Sequence, residues 1–219
     1  MRLLRDEKAL AQEIEETLEA ADWDYLAKEF PLAIAQSKDG VHRISTIVRA
    51  MKEFSHPGSK DKIPLSLNDL INTTLIVSRN EWKYVADMET DFADDLPQVP
   101  CLSDEMGQVF LNLLVNAAHA IATQLGDNPN GLKGRIIIST RQVAGQVEVR
   151  LQDTGCGIPR DILSKVFDPF FTTKEVGKGT GQGLAIARDV IVAKHDGTLE
   201  VESEPGQGAT FIIRLPISG

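Results

Sequence analysis

The sequence predicts an α+β fold, a two-layer sandwich of three helices on a mixed, mostly antiparallel sheet, with a helical segment in front of it. Apolar residues recur at helical spacing in the first quarter of the chain and again over 104–125. Residues 135–153 and 197–217 instead alternate or run apolar, as hairpin strands do. With 219 residues, of which 42% are hydrophobic, the chain suits one full domain plus a smaller element.

The composition excludes several classes of protein. A formal net charge of -9 disfavours nucleic-acid partners, because such binding rests on Lys and Arg neutralising phosphates. No apolar run approaches the roughly 20 residues that span a bilayer, and the charged N-terminus does not resemble a signal peptide. Cys101 and Cys156 form no CxxC pair, so we expect reduced thiols in a cytoplasmic protein, or in the cytoplasmic part of a larger or membrane-attached protein.

The sequence predicts a helical segment over residues 1–57 and the main domain over residues 58–219. A helix over about 1–20 would be followed by a break near 22–24 and a second helix over about 31–56, with Pro31 in its first turn. The second helix carries an apolar stripe that needs a partner surface, which predicts a homodimer. The stretch HPGSKDKIP then reads as a linker.

The main domain begins with short elements and a long helix. The sequence predicts a strand over residues 63–67 and a second strand over 84–92. Between them it predicts a helix that has Asn68 as its N-cap and ends near Arg79. The longest periodic segment, 104–125, predicts the principal helix, because its first residues are acidic and its apolar positions repeat at helical spacing.

Two hairpins and a long loop complete the domain. Residues 135–142 and 146–153 predict a hairpin that turns at 143–145. Residues 154–181 contain seven Gly or Pro and predict a long loop, and loops of that length are usually functional. A helix from about Gln182 to Lys194 and a last hairpin turning at 205–208 follow.

Three polar residues in NLLVNAAHA fall on one helix face, since Asn112, Asn116 and His119 are spaced by four and three. Amide oxygens are hard ligands that can bind Mg²⁺ already held by phosphate oxygens. A polar stripe facing solvent is the alternative interpretation.

In DTGCGIP, Asp153 follows a strand and could accept a hydrogen bond from an amino group such as that of adenine. Gly157 would let the backbone approach a flat ring, although an ordinary Asp turn also fits.

Two further motifs lie in and after the long loop. FDPFFTTK places three Phe in five positions, which suits anchors for a loop that closes over a ligand. GKGTGQGLA opens a helix, and glycine-rich backbone there presents N–H groups to phosphates. It is neither a Walker motif nor a dinucleotide fingerprint. Lys174 and Lys178 could add phosphate contacts as point charges.

In this order the four motifs resemble the N, G1, F and G2 boxes of the histidine-kinase branch of the Bergerat-fold ATPases, over about residues 60–217. The resemblance implies ATP and Mg²⁺ as cofactors, Asn116 as the Mg²⁺ ligand, residues 160–181 as the lid, and a catalytic set of Asn112, Asn116, His119 and Lys174. The ATP-binding residues that it implies are Asn112, Asn116, His119, Asp153, Gly155, Gly157, Ile158, Phe167, Thr173, Lys174, Lys178, Gly179, Thr180, Gly181, Gln182, Gly183, Leu184 and Thr210.

The first N-box position favours a kinase over an ATPase. ATPases of this fold carry there a Glu that activates water, whereas Asn112 cannot take a proton. The resemblance therefore implies a protein-histidine kinase that transfers the γ-phosphoryl group of ATP for relay to a response regulator. None of the four His lies in an H-E-x-x-x-P signature, so we expect the phosphoacceptor upstream of Met1 and no autophosphorylation by this chain.

Three alternatives remain open. The first is a binding module regulated by its nucleotide state, and the second is an anti-sigma-type serine kinase. Both usually lack a preceding bundle helix. The third is a homodimeric scaffold with a degenerate nucleotide site.

Overall fold

The computed structural model describes residues 16–23, 25–38, 41, 61–126, 131–174 and 179–217. The chain divides into two units, Met1–His56 and Pro57–Gly219. Most of the predicted linker and most of the apolar stripe of the second helix lie outside the described residues. No helix in the described part of the chain is long and apolar enough to cross a membrane.

In the first unit, residues 16–20 and 25–38 are helical and a turn at Ala21 and Asp22 lies where the break was predicted. Asp22 has φ 47°, and its carbonyl accepts a hydrogen bond from Leu26 N–H at 3.0 Å. The prediction that Pro31 stands in the first turn of the second helix was wrong, because the helix is already formed by residue 25. Residues 25–30 are mostly good helix formers, so the helix continues through the proline despite the backbone bond that it lacks.

The described residues of the second unit form seven strands, four α-helices and one π-helical turn. In chain order they are β1 Ile63–Leu65, α1 Leu67–Val77, α2 Arg79–Trp82, β2 Ala86–Phe92, β3 Val99–Cys101, α3 Ser103–Leu125, β4 Gly134–Val143, β5 Gln146–Asp153, α4 Gly183–Arg188, the π-helical turn Asp189–Lys194, β6 Thr198–Glu204 and β7 Gly208–Pro216.

The strands form one five-stranded sheet, in the order β2-β4-β5-β7-β6, and a small antiparallel pair of β1 with β3. Among the strands that the structure describes in the large sheet, only β2 and β4 pair in parallel. This confirms the mixed, mostly antiparallel α+β fold. The core lies between one sheet face and the apolar side of α3, where Leu113 and Ile121 meet strand residues such as Ile136 and Ile138. Both predicted hairpins form, and the first turns at Ala144 and Gly145, which have φ of 49° and 80°.

Asn68 does not cap α1, which corrects the predicted N-cap. Ser66 is the N-cap, and its Oγ accepts from Asp69 N–H at 3.3 Å. Asn68 instead donates to the Ala93 carbonyl at 3.0 Å and accepts from Thr140 Oγ1 at 2.9 Å. Both Ser and Asn are good N-cap residues, so the long-range partners of Asn68 decide between them.

The predicted helix over 182–194 forms in two parts. Its first residues, Gly183–Arg188, are α-helical, and Asp189–Lys194 widen into a π-helical turn. The turn ends at His195, after which Asp196 has φ 53° and Gly197 N–H donates to the Ile191 carbonyl at 2.9 Å. The widened turn brings His195 inward, where its side chain is buried.

Candidate functional site

One stripe of α3 carries Asn112, Asn116 and His119, as their spacing predicts. Asn112 and Asn116 are half-buried and His119 is exposed. The opposite side of the helix is packed into the core, so the polar stripe faces the loops that follow β5. The buried residues of α3 are Met106, Val109, Phe110, Leu113, Leu114, Ala117, Ala118 and Ile121.

Asn112 joins α3 to the start of α4. Its Nδ2 donates to the Gly183 carbonyl at 3.1 Å, and its Oδ1 accepts from Gln108 Nε2 at 2.8 Å. A Cβ on Gly183 would lie 3.5 Å from Asn112 Cγ, which shows how closely the two helices approach. Both halves of the Asn112 amide are thus engaged within the protein, and the predicted contact of Asn112 with ATP stays a prediction.

Asn116 and His119 meet Lys174 from the loop after β5. The Lys174 ammonium donates to His119 Nδ1 at 2.7 Å and lies 3.5 Å from Asn116 Oδ1. Desolvation and the positive charge of Lys174 lower the pKa of His119, against a smaller opposing effect of Glu81. Partial burial lowers the pKa of Lys174, and the Cys156 thiol opposes this. An ammonium has no acceptor, so His119 Nδ1 is unprotonated here and accepts the bond.

Asp153 ends β5 as a buried carboxylate beside the G1 glycines. Its Oδ1 accepts from Gly155 N–H at 2.8 Å. Burial raises the pKa of Asp153, and hydrogen bonds from the backbone of Gly155 and Ala209 oppose the increase. The turn is tied to α3, because Cys156 N–H donates to the Ala120 carbonyl at 3.1 Å. A Cβ on Gly155 would lie 2.6 Å from the Ala120 backbone, so only Gly allows this approach.

The β6–β7 hairpin supports the G1 turn from the other side. Gly157 has φ 70°, and a Cβ there would lie 2.1 Å from the Glu204 carbonyl oxygen. A Cβ on Gly208 would lie 1.9 Å from the Asp153 carbonyl oxygen. Ser203 Oγ accepts from Ile158 N–H at 2.8 Å and donates to the Gly208 carbonyl at 2.7 Å. The hairpin therefore sets the path of the turn that carries Asp153.

Sequence reasoning missed the roles of Ser203 and Gly208. The stretch EPGQG signalled a turn, and its two glycines could have suggested close backbone contacts. Nothing in the local sequence shows, however, that the partner of this turn is the DTGCGIP segment.

The F and G2 segments contact one another. Phe170 N–H donates to the Gly181 carbonyl at 2.9 Å, and a Cβ on Gly181, which has φ 64°, would lie 2.4 Å from the Phe170 backbone. A Cβ on Gly179 would lie 2.6 Å from Thr172 Oγ1. Phe167 packs edge-on against Phe211 with 6.5 Å between ring centroids, which anchors the F segment to the sheet.

Other predicted residues lie around this cluster. The Arg188 guanidinium is 5.6 Å from the Phe167 ring centre, and Ile158 and Leu184 pack against the core. Thr173 and Thr180 are exposed, and Thr180 Oγ1 accepts from Gln182 N–H at 3.4 Å. Lys178 lies outside the described residues.

The structure does not bring Thr210 to this cluster, which corrects that prediction. Thr210 pairs with Gln152 and Glu202, whereas Asp153 pairs with Ala209. Successive side chains of a strand point to opposite faces, so Thr210 lies on the sheet face turned away from Asp153. Ala209 stands in the place expected for Thr210.

The chain is similar to a family of nucleotide-binding domains. The family described as "Histidine kinase-, DNA gyrase B-, and HSP90-like ATPase" matches residues 101–219. The signal transduction histidine-protein kinase AtoS of Escherichia coli (strain K12) is 33% identical over 197 residues. That match covers 89% of this chain and 30% of AtoS, so the chain spans about a third of the length of this relative.

Solved structures of histidine kinases share the fold. The catalytic domain of histidine kinase ThkA has 29% sequence identity and a TM-score of 0.60, over 71% of this chain and 95% of that domain. A structure of ThkA in complex with response regulator protein TrrA has 27% identity and a TM-score of 0.63, over 83% of this chain and 49% of that chain. The family match at residues 101–219 lies within the unit Pro57–Gly219, which contains the cluster described above.

Proposed function

Because the chain belongs to the histidine kinase-, DNA gyrase B- and HSP90-like ATPase family, we propose that it is the ATP-binding catalytic region of a sensor histidine kinase. It transfers the γ-phosphoryl group of ATP to a histidine other than the four in this chain, for relay to a response regulator. The histidine kinases AtoS and ThkA, to which the chain is similar, support this class of reaction.

One observation carries the proposal: the four motif segments form a single connected cluster. The N segment contacts the G1 turn through Ala120 and Cys156, the F segment through Lys174, and the G2 segment through Asn112 and Gly183. These segments span sequence positions 112 to 183. If the polar stripe of α3 only faced solvent, contacts between it and the other three segments would not be expected. Buried Asp153 at its base and Lys174 at its rim suit an adenine amino group and phosphates respectively.

Magnesium fits the cluster if the nucleotide supplies most of its ligands. Within the described residues no group of three His, Cys, Asp or Glu is arranged to hold a metal ion. Asn116 Oδ1 is a hard oxygen whose neighbour is the Lys174 ammonium, so it lies where phosphate oxygens are expected. We assign Asn116 as the one protein ligand, with the remaining positions filled by phosphate oxygens and water. Bound magnesium would neutralise charge on the transferring phosphoryl group.

The chemistry is phosphoryl transfer in place of rapid hydrolysis. Asn112 stands where a water-activating carboxylate would be needed, and its amide bonds to Gln108 and Gly183. Glu105, the acidic residue nearest along α3 on the N-terminal side, binds Lys194 at 2.9 Å. Without a general base in this position, the residues of the site position the γ-phosphoryl group and neutralise its charge while an external histidine attacks.

The response regulator and a second copy of the chain are the proposed macromolecular partners, in the cytoplasm. ThkA in complex with TrrA supports the first. Exposed apolar side chains in the helical unit support the second copy of the chain as a partner, since an exposed apolar surface of this kind marks a protein–protein interface. They include Trp23, Tyr25, Phe30 and Ile34, with exposed fractions of 53 to 64%.

Calorimetric titration with ATP, with and without Mg²⁺, tests the nucleotide site. Asp153→Ala should abolish binding, and Asn116→Ala should weaken binding only when Mg²⁺ is present. Asp95→Ala and Asn72→Ala change the same residue types at exposed positions outside the four motifs, and both should bind ATP like the wild-type chain. A wild-type chain that does not bind ATP would refute the nucleotide site.

Labelled ATP tests the reaction. The chain alone should release phosphate slowly and take up no label, whereas a helical hairpin domain bearing an H-E-x-x-x-P histidine, added in excess, should become labelled. The label should be stable to base and labile to acid, as phosphohistidine is. Rapid turnover without any phosphoprotein would favour the ATPase branch, and an acid-stable label would favour a serine kinase.

A further inference from the structure

His195 connects the two helices that carry the site, although it lies outside the four motifs. The residue is 2% exposed and follows the π-helical turn after α4. Its Nε2 accepts from Leu102 N–H at 2.9 Å, and its Nδ1 lies 2.7 Å from the Val190 carbonyl. A backbone N–H can only donate and a carbonyl can only accept, so the imidazole is neutral with its proton on Nδ1.

Both partners of His195 stand at the ends of site-bearing helices. Leu102 is the N-cap residue of α3, and its own side chain makes no capping hydrogen bond. Val190 belongs to the turn that continues α4. Lys194, next to His195, also binds Glu105 in the first turn of α3 at 2.9 Å.

A second contact joins the same two helices further along α3, toward its C-terminal end. Asn112 Nδ2 binds the Gly183 carbonyl at the opposite end of α4, about 15 Å along α3 from Leu102 at 1.5 Å per residue. The two helices are therefore held at two separated points, and two points of attachment set their relative angle as well as their spacing.

We propose that His195 is a positioning residue that holds Asn112 and Asn116 on α3 in register with Gly183 on α4. The inference rests on the proposed function only in that Asn116 and the glycine-rich segment are taken to bind nucleotide. His195 acts through Leu102 and touches no ligand itself.

The bond to Leu102 requires neutral imidazole, which makes the connection sensitive to acid. Protonation would turn Nε2 into a donor that faces another donor, the Leu102 N–H. Burial lowers the pKa of His195, as do the charges of Lys62 and Lys194, whereas the Val190 carbonyl and Glu105 oppose them. The charged groups around this corner include two ion pairs, Lys62 with Asp196 at 3.7 Å and Lys194 with Asp189 at 4.0 Å.

Two substitutions separate positioning from stability. His195→Leu fills the site but leaves Leu102 N–H without an acceptor, whereas His195→Gln keeps a neutral acceptor that cannot be protonated. Val147→Ala is the control, because it removes volume from a fully buried position on β5 that belongs to none of the four motifs. Each variant is titrated with a non-hydrolysable ATP analogue and Mg²⁺ by calorimetry, at temperatures where circular dichroism shows it folded.

We expect His195→Leu to weaken binding about tenfold and His195→Gln less than threefold, within the range of coupling through packed networks. Wild-type affinity should fall with acid, and His195→Gln should flatten that pH profile. Val147→Ala should lower the thermal midpoint and leave affinity unchanged. Equal loss of affinity in Val147→Ala and His195→Leu would overturn the inference, as would an unchanged affinity in His195→Leu.

Side-chain amide cross-peaks of Asn112 and Asn116 in nitrogen-15 spectra provide a second measurement that needs no nucleotide. They should shift in His195→Leu and stay in place in Val147→Ala. If the wild-type chain bound no ATP, the proposed function would fail, and these cross-peaks would still decide the inference. Unshifted cross-peaks in His195→Leu would overturn it.

Discussion

Gly157→Ala tests how tightly the β6–β7 hairpin holds the turn that carries Asp153. A Cβ at this position would lie 2.1 Å from the Glu204 carbonyl oxygen and 2.9 Å from its carbon. Ordinary van der Waals contact begins near 3.4 Å, so backbone must move by more than 1 Å. The colliding atoms of Glu204 belong to its backbone, so a change of side-chain rotamer cannot relieve the collision.

The expected loss has two physical parts. An L-residue at φ 70° costs about 1–2 kcal/mol, and overpacking against backbone adds about 1–3 kcal/mol. We therefore expect the free energy of unfolding, measured by urea denaturation, to fall by about 2–5 kcal/mol. Because the turn must move away from Glu204, ATP affinity should fall even in conditions where the variant is folded.

Gly145→Ala is the matched control. Gly145 has φ 80° in the β4–β5 turn, and nothing lies within 4 Å of its Cβ position. This variant carries the backbone cost without the collision, so its loss should be about 1–2 kcal/mol with unchanged ATP affinity. If the two variants lost equal stability, the close approach at Gly157 would not restrain the turn and the reasoning would be wrong.

Asp153→Asn should raise the thermal midpoint at neutral pH while weakening ATP binding at least about tenfold, because burial raises the pKa of this carboxyl and its charge therefore costs stability once ionised. The gain should vanish in acid, where wild-type Asp153 is protonated; a gain that persists there would contradict this cause. His195 has a pKa below its ordinary 6.5, so stability should be complete above that pH and decline as pH falls toward the folded pKa. Urea denaturation across this range should show the decline in the wild type and a smaller one in His195→Gln. Glu148 is 2% exposed and accepts from Arg141 and Arg214, so Glu148→Ala should cost about 1–3 kcal/mol without changing ATP affinity. A fall in ATP affinity of Glu148→Ala, measured by calorimetry, would contradict a purely structural role of Glu148. Glu200→Ala removes a carboxylate that is 54% exposed, and it should lower the free energy of unfolding by under about 1 kcal/mol.

The Glu148 site also shows how the sheet separates stability from function. Val147 and Val149 face the core on either side of it, so Glu148 lies on the sheet face away from α3. Burial alone raises the pKa of Glu148, but hydrogen bonds from Arg141 and Arg214 outweigh it and the pKa is lowered. Its contribution is therefore present at neutral pH and lost only as pH falls through the folded pKa.

Local patterns in the sequence were enough to predict most of the elements and all four motifs, although β3 and α2 were not among the predicted elements. The periodicity of 104–125 predicted α3 to within one residue, because a helix repeats its apolar positions at a spacing that can be read without knowing its partners. The alternation over residues 197–217 likewise predicted the hairpin of β6 and β7. The spacing of Asn112, Asn116 and His119 predicted one stripe for the same reason.

Only the tertiary structure decided which groups those elements bring together. Asn112 meets Gly183 across 71 residues, and Leu102 meets His195 across 93. Thr210, which the resemblance implied at the ATP site, lies on the sheet face turned away from Asp153. Strand register depends on pairing with β5, and a shift of one residue moves every side chain to the other face. A local pattern shows that a side chain is polar or a backbone is glycine, but the partner that gives either its role comes from distant chain packed against it.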